Sequence, residues 1–256
     1  MKSHYLYYSF DAWLKNRHKA KVQKISLDAH AGCPNRDGTI QYGGCTFCNA
    51  DGSGSGLMQK GLSLTKQWEY WLDKFSKSDR LKNTKNFLAY MQSYSNTYGC
   101  LEKLEKMTTE LASLEKCVGF SIGTRPDCID EEKLRLLASL PFQTKWIEFG
   151  IQSMHDETLK RIRRGHSVQC SVDAITRSRK YNLNVCVHLM AGIPGETKEN
   201  FLDTVREVCK LPVQGIKLHG LYVCKNTQLA KDYRANAYTP MEQEDYIRLI
   251  CDALCI

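Results

Sequence analysis

Six short apolar segments alternate along this chain with amphipathic helical segments, and this rhythm constrains the fold more than any other feature. The predicted strands are 22–30, 86–92, 117–123, 145–151, 184–191 and 214–222. The predicted helices are 64–75, 99–115, 130–139, 155–163, 168–181, 198–210 and 240–255. Because strands that alternate with helices form a parallel sheet covered by those helices, we predict an α/β fold, a partial (β/α)6 TIM-like barrel.

The loops that follow the strands are the ones that carry chemistry in barrels of this kind, because they meet at the carboxyl ends of the strands. The last of these loops is expected over 223–239. Thr239, Pro240 and Glu242 then predict a capping box that starts the final helix.

The length of 256 residues, 42% of them hydrophobic, is enough for one domain with a substantial core. We predict a single domain over 1–256, with a helical extension at 1–20 and the barrel over 22–256. A further segment or a partner chain would cover the open side of such a barrel. No apolar run of about 18 residues predicts a membrane span, and no signal peptide is recognised, so a cytoplasmic protein is expected.

The net charge of +8 is compatible with a polyanionic partner such as RNA. Aromatic and basic residues are interleaved near the N-terminus at Lys2, Tyr5, Tyr7, Tyr8, Phe10, Trp13, Lys15, Arg17, Lys19 and Lys21. A second basic group comprises Lys160, Arg161, Arg163 and Arg164. Aromatic rings can stack on unpaired bases while cations meet phosphates, but a solvated amphipathic helix packed on the barrel explains the N-terminal pattern equally well.

Twelve cysteines in a long chain without an export signal favour reduced thiols and metal ligation over disulfides. Cys45 and Cys48 are separated by two residues, and Cys33 lies upstream in a glycine-rich segment. Three thiolates suit an iron–sulfur cluster with one iron open to bind S-adenosylmethionine (SAM), whose reductive cleavage would give a 5′-deoxyadenosyl radical. The alternative is a structural zinc site with His30 as the fourth ligand.

Six sequence motifs match those of one known protein family. They are GCPNRDGTIQYGGCTFCN, GTRPDC, IEFGIQS, RIRRGH, HLMAGIPGET and GIKLH. In this order and over nearly the whole chain, the sequence resembles the YhcC/YtqA-like radical SAM proteins, which are relatives of the Elongator catalytic subunit and of oxygen-independent coproporphyrinogen oxidase. The resemblance implies a radical SAM barrel, a [4Fe–4S] cluster and SAM as cofactors, and Cys33, Cys45 and Cys48 as the cluster ligands.

Five further positions match cofactor-binding positions of the family: Phe47, Ser93, Gln152, Arg164 and Ile193. The resemblance implies that Phe47 and Ile193 contact the adenine and that Gln152 and Arg164 lie near the ribose and carboxylate of SAM. Ser93 lies in QSYSNT, which replaces the family's glycine-rich motif, and the cysteine spacing is longer than the common pattern. Hydrogen bonding at a strand end or at the surface is the alternative for Gln152 and Arg164.

The substrate end of the barrel is predicted at His188, Lys217 and His219. Lys217 and His219 alternate along one strand and therefore share a face. If that face lines the barrel, these side chains can bind a substrate or assist proton transfer, whereas satisfied core histidines are the alternative. Arg125 and Asp127 follow the third strand, either at the catalytic rim or as a structural ion pair.

Together these features lead to the hypothesis of a radical SAM enzyme that modifies the C5 side chain of the tRNA wobble uridine. The tRNA substrate and an electron donor such as flavodoxin or ferredoxin are implied by the resemblance. Two alternatives stay open: radical chemistry on a small molecule, and a non-catalytic module that binds zinc or an iron–sulfur cluster.

Overall fold

The computed structural model describes residues 7–29, 31–49, 52, 57 and 61–256 and contains one six-stranded parallel sheet. The strands lie side by side in chain order. Their bounds are β1 Val22–Leu27, β2 Asn86–Met91, β3 Cys117–Thr124, β4 Thr144–Gln152, β5 Asn184–Ala191 and β6 Gly215–Gly220. Each predicted strand is found within three residues of its expected ends. Apolar residues mark every strand, as runs in β2 to β5 and in alternation with polar residues in β1 and β6.

The sheet curls into a half-barrel. Lys24 on β1 and Lys217 on β6 belong to opposite ends of the strand order, yet both ammonium groups lie over the ring of Tyr90 on β2, at 4.2 and 4.4 Å from its centroid. No pairing between β1 and β6 occurs among the described residues. The partial (β/α)6 barrel predicted from the sequence is therefore confirmed.

The helices follow the strands as predicted. Their bounds are α1 Phe10–His18, α2 Leu64–Ser76, α3 Leu101–Ala112, α4 Glu131–Ser139, α5 Asp156–Arg161, α6 Val168–Lys180, α7 Lys198–Cys209, α8 Gln228–Arg234 and α9 Gln243–Leu254. A short 3-10 helix, Pro126–Cys128, follows β3. In the described part of the chain, no helix is long and apolar enough to cross a membrane.

Two details near the C-terminus differ from the sequence prediction. The loop expected over 223–239 contains α8, a helix of seven residues that is too short to show a clear apolar period. The predicted capping box at Thr239 is wrong, because α9 begins only at Gln243 and its N-cap residue, Glu242, makes no side-chain capping bond. Among the described helices, α7 has a reciprocal capping box instead, between Thr197 and Asn200.

The N-terminal helix α1 packs against the amino ends of the strands. Leu14 is buried with Val22 and Leu88, and the rings of Phe10 and Trp13 meet Trp146 edge-on at 5.2 and 5.1 Å. The rings of Tyr7 and Tyr8 are exposed, and Lys2 and Tyr5 lie outside the described residues. Phe10 and Trp13 therefore contribute to packing, as the amphipathic-helix alternative expects.

The main core lies between the outer face of the sheet and the surrounding helices. We expect Phe120→Ala on β3 to lower the free energy of unfolding by about 3–5 kcal/mol, because the buried ring, edge-on to Phe142 at 5.8 Å, leaves a cavity. Urea denaturation followed by circular dichroism measures the change. Ile247→Ala, at a side chain that is 51% exposed, is the control and should change stability by less than about 0.5 kcal/mol. Equal losses for the two variants would contradict this description of the core.

Candidate active site

A cavity of about 340 Å³ opens at the carboxyl ends of the strands. Its wall includes all three predicted cluster ligands, Cys33, Cys45 and Cys48. His188 and His219, from β5 and β6, line the same cavity. The curl of the sheet thus brings the cysteine loop after β1 and the predicted substrate end into one space.

The cysteine loop is held by its own backbone hydrogen bonds. The amide of Arg36 donates to the carbonyl of Cys33 at 2.9 Å, and the amide of Cys48 donates to the carbonyl of Cys45 at 3.1 Å. Gly44 has a φ of 81° and donates to Asn35 O at 2.7 Å, so the chain reverses in a conformation that favours glycine. These turns direct all three cysteines toward the cavity.

The distances between the three sulfur atoms bear on whether the cysteines bind one zinc ion or an iron–sulfur cluster. Among the described residues, the three sulfur atoms do not form a group within 4.8 Å of one another. Two thiolates on one zinc ion, each about 2.3 Å from it, can be at most about 4.6 Å apart. The three sulfur atoms in this structure are therefore not close enough together to share one zinc ion. His30, the fourth ligand of the zinc alternative, lies outside the described residues.

Two of the sulfur atoms receive hydrogen bonds from guanidinium groups. Arg36 donates to Cys48 Sγ at 3.3 Å, and Arg164 donates to Cys45 Sγ at 3.5 Å. Burial raises the pKa of the Cys33 thiol, and the charge of Arg125 opposes this rise. The wall around the cysteines is therefore cationic, which favours bound thiolates and an anionic cluster.

A buried polar network lies in the barrel below the cysteines, centred on Glu148 of β4, a residue that is 2% exposed. Its carboxylate accepts hydrogen bonds from Ser121 and Lys217 and lies 2.7 Å from His188 Nε2. Nδ1 of His188 lies 3.2 Å from Nε2 of His219. Hydrogen bonds thus join side chains from four adjacent strands. The part of this network that runs from Glu148 through His188 to His219, the Glu148–His188–His219 chain, ends at the cavity.

The protonation pattern of this network follows from the carboxylate. Burial raises the pKa of Glu148, but the hydrogen bond from His188 and the ammonium of Lys217 outweigh burial and hold this pKa well below its usual range. Because a carboxylate only accepts hydrogen bonds, Nε2 of His188 donates to it. Burial lowers the pKa of His188, so the neutral ring accepts from His219 at Nδ1. Nδ1 of His219 is then left with a lone pair, in a ring that lines the cavity.

Comparison with known proteins decides the family. The model of the radical SAM superfamily matches residues 30–208, and the model of the radical SAM C-terminal domain matches residues 213–256. The chain belongs to the radical SAM superfamily. Radical SAM enzymes use a [4Fe–4S] cluster and SAM, so the predicted enzyme class and cofactors are confirmed. The prediction of a single domain over 1–256 stays a prediction.

The resemblance to the YhcC/YtqA-like proteins is also confirmed. This radical SAM chain is 36% identical over 249 residues to YtqA of Bacillus subtilis, which covers 97% of this chain and 76% of YtqA. It is 38% identical over 239 residues to YhcC of Escherichia coli, which covers 93% of this chain and 75% of YhcC. A tRNA uridine(34) acetyltransferase of Dehalococcoides mccartyi is 32% identical over 157 residues, covering 60% of this chain and 33% of the acetyltransferase.

Solved structures share the fold. The archaeal Elp3 of Methanocaldococcus infernus superposes with a TM-score of 0.68 at 20% identity, covering 91% of this chain and 53% of that protein. Coproporphyrinogen III oxidase from Escherichia coli superposes with a TM-score of 0.60 at 13% identity, covering 96% of this chain and 55% of that enzyme. The radical SAM chain described here spans about half the length of these two proteins.

Gln152 has a side chain suited to binding a polar ligand in the cavity of this radical SAM protein. It lies at the end of β4 with a φ of 71°, a left-handed conformation that is rare outside glycine and occurs often at binding sites. Its Oε1 is buried without a hydrogen-bond partner among the described residues. An orphaned acceptor in the cavity wall is satisfied when a hydroxyl or amino group of a ligand binds beside it.

The other predicted cofactor positions are distributed around the cavity. Phe47 lines it and packs on the cluster of apolar side chains that contains Ile193, which is not itself in the lining. Arg164 lines the cavity, and its guanidinium also donates to the carbonyl of Gly150. Ser93 is buried but does not line the cavity, whereas Ser95 does.

Sequence analysis missed the centre of the polar network. Glu148, Ser121 and Tyr90 were not singled out, although Glu148 interrupts the apolar strand segment KWIEFGI. A charged residue in a strand buried on both faces requires partners in the interior, and this signal identifies it. Lys217 was predicted at the substrate end, but it donates to Glu148 and does not line the cavity.

Glu148, Cys186 and His188 also form a group with ligand atoms within 4.8 Å of one another. A metal ion there conflicts with the surroundings, because the ammonium of Lys217 donates to the same carboxylate oxygen as His188. Burial also raises the pKa of Cys186 to about 12, so this thiol stays protonated. The group therefore belongs to the polar network and is no metal site.

We expect Cys45→Ala to lower the iron content of anaerobically purified protein from about four atoms per chain to nearly none, because two remaining thiolates hold a cluster poorly. Iron and sulfide analysis with absorption spectroscopy measures the loss. Cys100→Ala, at an exposed cysteine before α3, is the control and should keep its iron. A colourless wild-type protein with one zinc would contradict the cluster assignment.

We expect stability to decrease as the pH falls from about 6.5 toward 4. Burial, with help from His188 and Lys217, lowers the pKa of His219 from 6.5 to about 4, so the unfolded chain binds a proton in this range and the folded chain does not. His219→Gln should make this part of the profile less steep, and His166 and His188, whose pKa values burial also lowers, keep the rest of the slope. Urea midpoints at several pH values measure the slope. A wild-type profile that is flat over this range would argue against a buried neutral His219.

Proposed function

We propose that Cys33, Cys45 and Cys48 hold the [4Fe–4S] cluster of this radical SAM enzyme and that its substrate is tRNA, modified at the C5 side chain of the wobble uridine. The observation that carries the proposal is a single cavity whose wall contains the three cysteines and the end of the Glu148–His188–His219 chain. The site thus joins a redox centre to a proton-accepting group.

The cluster and SAM, when bound, supply one-electron cleavage of SAM and a 5′-deoxyadenosyl radical that abstracts hydrogen from the substrate. Gln152 is proposed to hydrogen-bond the ribose through its orphaned Oε1. Phe47, with Ile193 behind it, forms the apolar wall proposed for the adenine. Arg164 is proposed to orient the carboxylate of SAM, and Ser95 is better placed than Ser93 for the amino group, since only Ser95 lines the cavity.

His219 is proposed to take a proton from the substrate at Nδ1. Its Nε2 proton can then pass to Nδ1 of His188, which places the positive charge beside the carboxylate of Glu148. A carboxylate next to the imidazolium stabilises it, as in other acid–base dyads of this kind. Lys217 balances the charge of Glu148 when both histidines are neutral.

The tRNA substrate is supported by similarity and charge. A tRNA uridine(34) acetyltransferase is 32% identical over 157 residues, and this chain carries a net charge of +8, which favours binding to a polyanion. The electron is proposed to come from a small donor such as flavodoxin or ferredoxin.

The decisive experiment compares tRNA nucleosides by mass spectrometry in cells that carry the gene, lack it, or express a variant. Loss of the gene and Cys45→Ala should both abolish one modified wobble uridine. His219→Gln should reduce that nucleoside by about a hundredfold or more in a turnover assay, because a general base contributes about 10²–10⁴-fold. It should still release 5′-deoxyadenosine from SAM.

Two outcomes would redirect the assignment. Unchanged wobble uridines together with SAM cleavage by the purified protein would remove tRNA and favour the small-molecule alternative. A protein without iron that cleaves no SAM would favour the non-catalytic module. His155→Gln, which leaves the cavity intact, is the matched histidine control and should retain wild-type turnover.

A further inference from the structure

Three guanidinium groups surround the sulfur atoms of the cysteine loop. Arg36 and Arg164 donate to Cys48 Sγ and Cys45 Sγ, as described above, and Arg125 lines the same wall. The three arginines come from three separate parts of the chain, the cysteine loop, the end of β3 and the turn after α5. Among the described residues, Arg125 forms an ion pair with Asp127, and the other two arginines form none.

Arg125 is the most deeply buried of the three, at 1% exposure. Its Nε and one terminal nitrogen donate to the two oxygens of Asp127 at 2.9 and 2.7 Å, which fixes the plane of the guanidinium. The remaining nitrogen, NH1, is buried and has no hydrogen-bond partner among the described residues. A buried charged donor without an acceptor is costly, so this nitrogen requires an acceptor that the cavity must provide.

The acceptor that best fits this position is the cluster itself. Arg125 lines the same cavity wall as Cys33 and Cys45, so its charge lies next to the space that the cluster would occupy. Hydrogen bonds to the sulfur atoms and nearby charge are the main means by which a protein sets a cluster's reduction potential. Reduction adds one negative charge, and a fixed cation in a site of low dielectric stabilises that charge.

We propose that Arg125, held in place by Asp127, is a positioning cation that raises the reduction potential of the cluster. The inference rests on the cluster ligands proposed above and is independent of the tRNA substrate. Asp127 partly offsets the charge of the guanidinium while it fixes the geometry, so the ion pair at the end of β3 is functional as well as structural. Arg36, through its bond to Cys48 Sγ, acts in the same direction.

The test is a redox titration of the SAM-free protein, reconstituted with iron and sulfide and followed by electron paramagnetic resonance. Arg125→Gln is expected to disfavour reduction by about tenfold, a shift of about 59 mV toward more negative potential for a one-electron couple. Arg248→Gln removes the same charge from an exposed site on α9 and should leave the potential unchanged. Iron analysis of each variant separates a shifted cluster from a lost one.

A second variant keeps the proposal testable if Arg125→Gln fails to fold or to bind iron. Asp127→Asn removes a negative charge from the same place, so the potential should shift in the opposite direction, toward more positive values. Unchanged potentials in both variants would overturn the proposal, as would a change in SAM affinity alone, because NH1 would then serve the carboxylate of SAM. A wild-type protein without iron would refute the cluster ligands themselves.

Discussion

The interior of this barrel depends on the burial of one carboxylate, that of Glu148. Removing an ionised carboxylate from water costs several kcal/mol unless protein groups replace its hydration. Ser121, His188 and Lys217 provide that replacement from β3, β5 and β6. The interaction therefore couples four neighbouring strands through their side chains, in addition to the backbone ladder. It also fixes which nitrogen of each histidine carries a proton.

The same carboxylate explains why two lysines are tolerated inside the barrel. Lys217 is paired with Glu148, while Lys24 lies over the ring of Tyr90 and its pKa is lowered by burial and by the nearby Lys217. The ring of Tyr90 stabilises both ammonium groups through its π face. These contacts connect β1 to β6, which no strand pairing joins in the described part of the chain. Polar side chains therefore support the curvature of the open sheet.

The features that could be predicted from the sequence are those with a local signal. Strand β5 was predicted with its true ends because a run of apolar residues marks it, and the spacing of Cys45 and Cys48 marks the cluster loop. Contacts between residues that are far apart in the sequence could not be predicted from it. Arg164 was expected near SAM, and its hydrogen bonds to Cys45 Sγ and Gly150 O depend on how two loops meet. Ser95 rather than Ser93 lines the cavity, and Tyr94 between them has a left-handed φ of 58°, which no sequence pattern marks.

The two halves of the site are built on supports of different rigidity. The Glu148–His188–His219 chain lies on paired strands, where hydrogen bonds of 2.7 and 3.2 Å are maintained by the sheet itself. The cysteines lie on a loop of turns, and a metal site on such a loop gains much of its order from the bound metal. Loss of the cluster should therefore loosen the loop and leave the proton-accepting chain intact. Because the redox centre can be lost without disturbing the acid–base group, the contribution of each to catalysis can be measured in the same fold.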